Sequence, residues 1–307
     1  MSQLSPHPPV APPIQTPAPV AATGDAVAAV PTQVPFHRLA RIRPRYRWWR
    51  PLLTGILAGA MYLAVVFVLG AAVAAALFAT TGTVSESALL GTFDLDRPWL
   101  LLMMLAPLIL LIPVFAAASR MVEGRGVGFL VSVTQQVRWR WLGKTMLIAF
   151  AVFAPFLALT VLVQALSGAP FEPRFDHPGI PVMLMLVLLF VPLQAAAEEF
   201  VFRGYLMQLV GAWLKHPAFA VLLPAPLFVL GHGYDLWGGL SVGVFAVVAG
   251  WLCWRTGGLE AAISMHAANN VLLFALGAFG LSNPNATSGT AVDLLISVAM
   301  MLVFTAV

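Results

Sequence analysis

Four long uncharged apolar stretches, residues 51–85, 98–119, 145–171 and 178–197, constrain this chain more than any other feature. A helix needs about 20 apolar residues to cross about 30 Å of hydrocarbon, so each stretch is ample for one span. Shorter runs follow at 217–231, 236–254, 261–280 and about 291–307. The expectation is an all-α, polytopic membrane protein with about eight transmembrane helices over residues 51–307. The fifth and eighth runs are the shortest, and Pro224 and Pro226 within the fifth imply a kink or break. From about 180 to 212 the pattern reads as one helix of roughly 50 Å, longer than the bilayer is thick. Such a helix must tilt strongly, or its last part, after Gly204 or Gly211, must leave the membrane. Composition agrees with a lipid setting: 60 % of residues are hydrophobic and only 9 % charged. Soluble chains carry about 25 % charged residues, so a water-soluble enzyme of this length is excluded.

Charge placement sets the expected orientation. Arg38, Arg41, Arg43, Arg45, Arg47 and Arg50 form a basic juxtamembrane segment over residues 36–50. With the amino terminus cytoplasmic, Arg120, Arg125, Arg138, Arg140, Lys144, Lys215 and Arg255 fall on the same side, and only Arg97 and Arg174 fall on the other. That obeys the positive-inside rule. It also explains the net charge of +4 by anionic lipid rather than nucleic acid. Residues 1–35 hold nine prolines and one charged residue, Asp25, and read as a disordered, partly polyproline-II tail. They lack the charged and apolar regions of a signal peptide. Residues 120–144, with Trp139 and Trp141 between cations, read as an interfacial helix. The single cysteine, Cys253, rules out an intramolecular disulfide and any multi-cysteine metal site.

Ionisable groups within apolar runs default to a functional reading because each costs roughly 2.5–3.5 kcal/mol to insert. They occur at three places. In Glu198-Glu199-Phe200-Val201-Phe202-Arg203, Glu199 and Arg203 are spaced i, i+4 and can pair, while Glu198 is turned about 100° away. Two adjacent carboxylates out of water cannot both ionise cheaply unless Arg203 compensates, and a carboxylate poised this way suits general-base work on water. The bland alternative is a structural Glu–Arg pair holding helices together. The second place is Phe228-x-x-x-His232, where the histidine alone could be a core hydrogen-bonder. The third is His266-x-x-x-Asn270, two polar groups on one helix face that could stabilise an oxyanion. Glu198 lies roughly 25 Å of helix from Lys215, His232 roughly 24 Å from His216 and His266 roughly 16 Å from Arg255. The three places therefore converge near the bilayer middle, and these distances place their access on the cytoplasmic side.

At these residues the sequence resembles the CAAX prenyl protease type II, or CPBP, family of intramembrane glutamic endopeptidases, which includes bacterial Abi-type proteins. The family pattern EExxxR, FxxxH and HxxxN is met in order by Glu198-Glu199…Arg203, Phe228…His232 and His266…Asn270. The resemblance covers about residues 180–275. It implies that Glu198 and His232 bind and activate water, that His266 and Asn270 form the oxyanion site, and that Glu199 and Arg203 support Glu198. The family has been read as metal-dependent. Here there is no HExxH and only two intramembrane histidines, so no metal or other cofactor is expected, although Glu and His leave zinc chemically open. The implied activity is hydrolysis of a peptide bond in a membrane-associated polypeptide, such as a prenylated one, near the cytoplasmic end, in a bacterial cytoplasmic membrane. The alternative is a non-catalytic membrane binding or self-immunity protein using the same cavity. A transporter with a Glu–His proton relay fits less well, since no internal repeat is present. Ser241 in Gly239-Leu240-Ser241-Val242 does not fit a serine-protease turn.

Overall fold

The computed structural model describes residues 34–43, 45–124, 127–168 and 173–307. The expected tail therefore lies outside the described residues, apart from Val34 and Pro35. In chain order the main helices are α1 (Arg50–Thr81), α2 (Trp99–Glu123), α3 (Trp139–Leu166), α4 (Ile180–Trp213), α5 (Pro217–Leu230), α6 (Leu236–Thr256), α7 (Glu260–Ala278) and α8 (Ala291–Ala306). Among the described residues, six are long and apolar enough to cross a membrane; α5 and α8 are the two shorter ones. The chain is an all-α polytopic membrane protein, and six of the eight expected segments reach spanning length. The sole strand-like pairing among the described residues is an isolated bridge between Ser132 and Gly258.

Proline chemistry shortens α5. Its two pieces, Pro217–Leu222 and Ala225–Leu230, are separated around Pro224, because proline supplies no amide hydrogen and crowds the preceding turn. Gly233 follows at φ +63°, a left-handed conformation open to glycine, and turns the chain away just after His232.

Helix α4 is 34 residues long and continuous through a π-helical stretch, Phe200–Leu206. Its excess length is taken up by the arginine-rich segment, where a 3₁₀ helix, Phe36–Ile42, lies across its last turns. Arg38 Nη1 donates to Gly211 O and Arg41 Nη1 to Ala212 O, both at 3.0 Å. The approach is so close that a Cβ at Gly211 would sit 1.8 Å from His37 O. Only glycine leaves that space.

One expectation is corrected. Residues 120–144 are not a single interfacial helix: α2 ends at Glu123, a one-turn helix spans Gly128–Val131, and α3 starts at Trp139. Gly124, at φ +76°, caps α2 in the left-handed region. Glu260 Oε1 accepts from both Arg138 N and Arg138 Nε, which fixes where α3 begins.

The bundle packs around α7, whose Ala261, Ala262, Ser264, Ala267 and Ala268 are buried. Small residues let helix backbones approach closely where lipid offers no hydrophobic drive between helices. Helices α3 and α4 pack on this face, and Thr145 Oγ1 and Ser264 Oγ meet at 2.8 Å. Leu63, Phe67, Leu166 and Leu230 point outward, as expected of side chains that meet lipid tails.

The two ends of the bundle differ. At the end carrying the arginine-rich segment, Arg43 pairs with Glu123 and reaches Gln208 Oε1 at 3.1 Å, Thr54 Oγ1 donates to Glu123 Oε1 at 2.9 Å, and Gln208 Nε2 donates to Phe129 O at 2.6 Å. Burial of Arg43 lowers its guanidinium to about 10, which still leaves it charged at neutral pH. At the opposite end, loops join one another: Asn285 bonds Thr92 and Phe93, Arg174 N donates to Phe279 O, and Asp235 N to Thr287 O.

Candidate active site

The three polar places of the sequence meet inside the bundle. Glu199, fully buried on α4, is the hub: its Oε1 accepts from Arg203 Nη1 at 2.9 Å and from His266 Nδ1, on α7, at 2.8 Å. The i, i+4 pair of the sequence is therefore present, but its third member is His266 rather than Glu198. Arg203 is held on its remaining sides as well. Its Nη2 donates to Ala246 O at 3.2 Å, and its guanidinium lies 4.4 Å above the Phe228 ring. A desolvated cation on an aromatic face gains about 2 kcal/mol.

Glu198 faces the other side of His266, with Oε2 3.5 Å from Nε2. That separation is an ion-pair contact rather than a directed hydrogen bond, and this buried oxygen has no hydrogen-bond partner among the described residues. His266 is thus fixed at both ring nitrogens, between two carboxylates. Because Glu199 Oε1 can only accept from it, Nδ1 carries a proton.

His232 reaches the site from the end of α5. Its Nδ1 donates to Phe228 O at 2.7 Å and its ring stacks 4.6 Å from Phe228, so in the neutral ring Nε2 is the basic nitrogen. Phe228 therefore carries Arg203 and His232 together. Asn270, one turn beyond His266, donates from Nδ2 to Gln194 Oε1 at 3.2 Å and accepts from Asn269 Nδ2 at 3.0 Å. Glu198, Phe228, His232, His266 and Asn270 all line one cavity of ≈ 1120 Å³.

Sequence reasoning missed Gln194, Tyr234 and Phe245, which line the same cavity. Gln194 is the only polar side chain in the 178–197 run and stands four residues before Glu198, a signal available but unused. Tyr234 lies 5.6 Å from the His232 ring, and Phe245 5.0 Å from that of His266. Among the described residues, no group of three or more His, Cys, Asp or Glu is gathered tightly enough to hold a metal ion.

Of the polar groups singled out from the sequence, Glu198 comes from α4, His266 and Asn270 from α7, and His232 from the turn that follows α5. Residues 179–272, which contain them, match the family model of the type II CAAX prenyl endopeptidase Rce1-like proteins. This stretch is an Rce1-like domain. It takes in α4, α5, α6 and most of α7, whereas Leu105 and Leu108 of α2, Leu157 and Val161 of α3, and Met300 of α8 complete the cavity wall from outside it. The chain is also similar to the uncharacterized protein YyaK of Bacillus subtilis (strain 168), with 29 % identity over 174 residues. That alignment covers 53 % of the chain and 56 % of YyaK. No solved structure matches the chain.

Proposed function

We propose that this chain is an intramembrane endopeptidase that hydrolyses a peptide bond of a membrane-associated or lipidated polypeptide with water activated by Glu198 and His232. One observation carries the reading. An acid, two histidines and an asparagine from two helices and the turn after α5 line a single cavity inside an apolar bundle, within an Rce1-like domain. In this reading Glu198 takes a proton from water, and His232 Nε2 accepts a hydrogen bond from the same molecule. The water oxygen adds to the carbonyl carbon. Asn270, which has a second amide hydrogen beyond the one on Gln194, is a donor for the oxyanion, and His266 joins it in its imidazolium form, the form that donates from Nε2 while Nδ1 stays bonded to Glu199. Collapse of the tetrahedral species breaks the C–N bond as Glu198 passes its proton to the departing amine. Glu199 and Arg203 act by orienting His266, a change from the supporting role toward Glu198 that the resemblance implied. No step is assigned to a metal.

The test is turnover of an acyl-anchored peptide panel by purified protein. Glu198→Gln and His232→Ala each lower kcat by about 10²–10⁴-fold, the usual worth of general acid–base catalysis, while the protein still inserts and folds. Unchanged turnover in either variant sinks the water site. Loss of turnover on chelation, restored by zinc, replaces the metal-free mechanism with a Glu/His zinc site.

A further inference from the structure

The cavity belongs to one end of the molecule. Away from Glu198 it is lined by residues 92–96, Arg174, residues 280–286, Ser288 and Gly289. These are the loops that hydrogen-bond one another opposite the arginine-rich end. Its helical walls are the halves of α2 and α3 adjoining those loops, from Met104 to Leu108 and from Leu157 to Gln164. Among the described residues, none from segments 36–50, 120–144 or 207–219 contributes to it.

The arginine-rich end is closed by backbone packing and buried polar groups. A Cβ on Gly204 would lie 2.7 Å from Leu130 O, and one on Gly211 would lie 1.8 Å from His37 O. Arg43, Glu123 and Gln208 are each 5 % exposed or less. Arg138 spans Glu260 and Thr256 O at 2.6–3.0 Å. The cytoplasmic access read from chain distances is therefore corrected. Those distances measured depth, whereas the open side is set by which loops are knit into a rim.

We infer that substrate enters from the end opposite the arginine-rich segment. With that segment on the cytoplasmic side by the positive-inside rule, the substrate is a membrane-anchored polypeptide whose scissile segment is presented on the extracytoplasmic face. The volume of ≈ 1120 Å³ exceeds the roughly 300–1,000 Å³ of small-molecule pockets and suits an extended stretch of chain. The inference concerns the side from which the proposed peptidase is fed, and it rests on that reading.

The lone, buried Cys253 makes the test direct. In a Cys253→Ala background, Ser288→Cys reports on the exposed cavity rim and Arg47→Cys on the exposed arginine-rich end. A membrane-impermeant maleimide outside spheroplasts labels Ser288→Cys and not Arg47→Cys, and inverted vesicles reverse the pattern. Labelling of Ser288→Cys only in inverted vesicles overturns the inference, as does labelling of both positions from the same side. Thr287→Cys, also exposed, repeats the measurement if Ser288→Cys does not accumulate. An acyl-anchored, quenched-fluorescent peptide is then supplied on one side of sealed vesicles. Cleavage only from the Ser288 side, lost in Glu198→Gln, supports the inference; cleavage only from the Arg47 side overturns it. Rim labelling from outside together with cleavage indifferent to Glu198→Gln upholds the access route and sinks the peptidase reading, so the two failures are separable.

Discussion

Glu199, with no exposed surface, divides one carboxylate oxygen between a guanidinium and an imidazole. Breaking a buried pair by removing one partner leaves an uncompensated charge, which costs about 3–5 kcal/mol. Arg203→Ala is therefore expected to lower stability by about that amount, read as thermal unfolding in detergent, whereas Glu198→Gln changes stability little. Half of this cluster was legible. The spacing of Glu199 and Arg203 predicts their pairing, and the burial of charge marks the region as functional. That His266, 67 residues further on, completes the set depends on how α7 packs on α4, which no local pattern encodes. Gln194 shows the opposite case. It is visible as the lone polar group of its run, but a neutral amide in an apolar helix is cheaper than an ion and draws less notice. Since Gln194 holds Asn270, Gln194→Ala is expected to lower kcat by up to about a hundredfold through misplacement, with KM nearly unchanged. A change in KM alone assigns Gln194 to substrate binding instead.

At the level of elements, the hydropathy runs translate well into helices because lipid forces every backbone amide to be satisfied within its own segment. The proline break in α5 follows equally directly. What local reading misses is contact between distant pieces, such as the 3₁₀ helix Phe36–Ile42 seated on the end of α4. His37 in that helix is 2 % exposed, and its Nε2 lies 3.1 Å from Lys215 O. Nε2 therefore donates, and Nδ1 is buried with no hydrogen-bond partner among the described residues. Burial lowers this imidazole below its ordinary 6.5, the Lys215 carbonyl pulls back, and the charges of Arg38 and His216 add to the lowering. A base whose folded value is depressed favours folding in its neutral form. Docking is thus complete above about pH 6.5 and weakens as pH falls toward the folded value. Trp213 donates to Trp48 O at 2.8 Å across the same contact, so tryptophan fluorescence is expected to report an acid transition that His37→Asn removes. An unchanged transition in that variant assigns it to another group.

The whole molecule reads as a charge gradient: cations collect at one end, and the cavity opens at the other. The gradient was legible because it follows from residue order once the spans are counted. The opening was not, since it depends on the loops after α1, α3 and α7 closing into a rim. Exposed Arg45, Arg47 and Arg140 add to the orienting charge. Replacing all three with Asn is expected to yield a mixed population in which Ser288→Cys labels from both sides. Persistence of a single orientation gives that role to the remaining cations. The cluster at Glu199 also bears on how the protein is made. Its partner His266 is synthesised 67 residues later, an interval of about 3–13 s at roughly 5–20 residues per second. During that time α4 holds two acids and one guanidinium without the imidazole that completes them. The buried cluster is therefore completed only once α7 has been made and packed on α4.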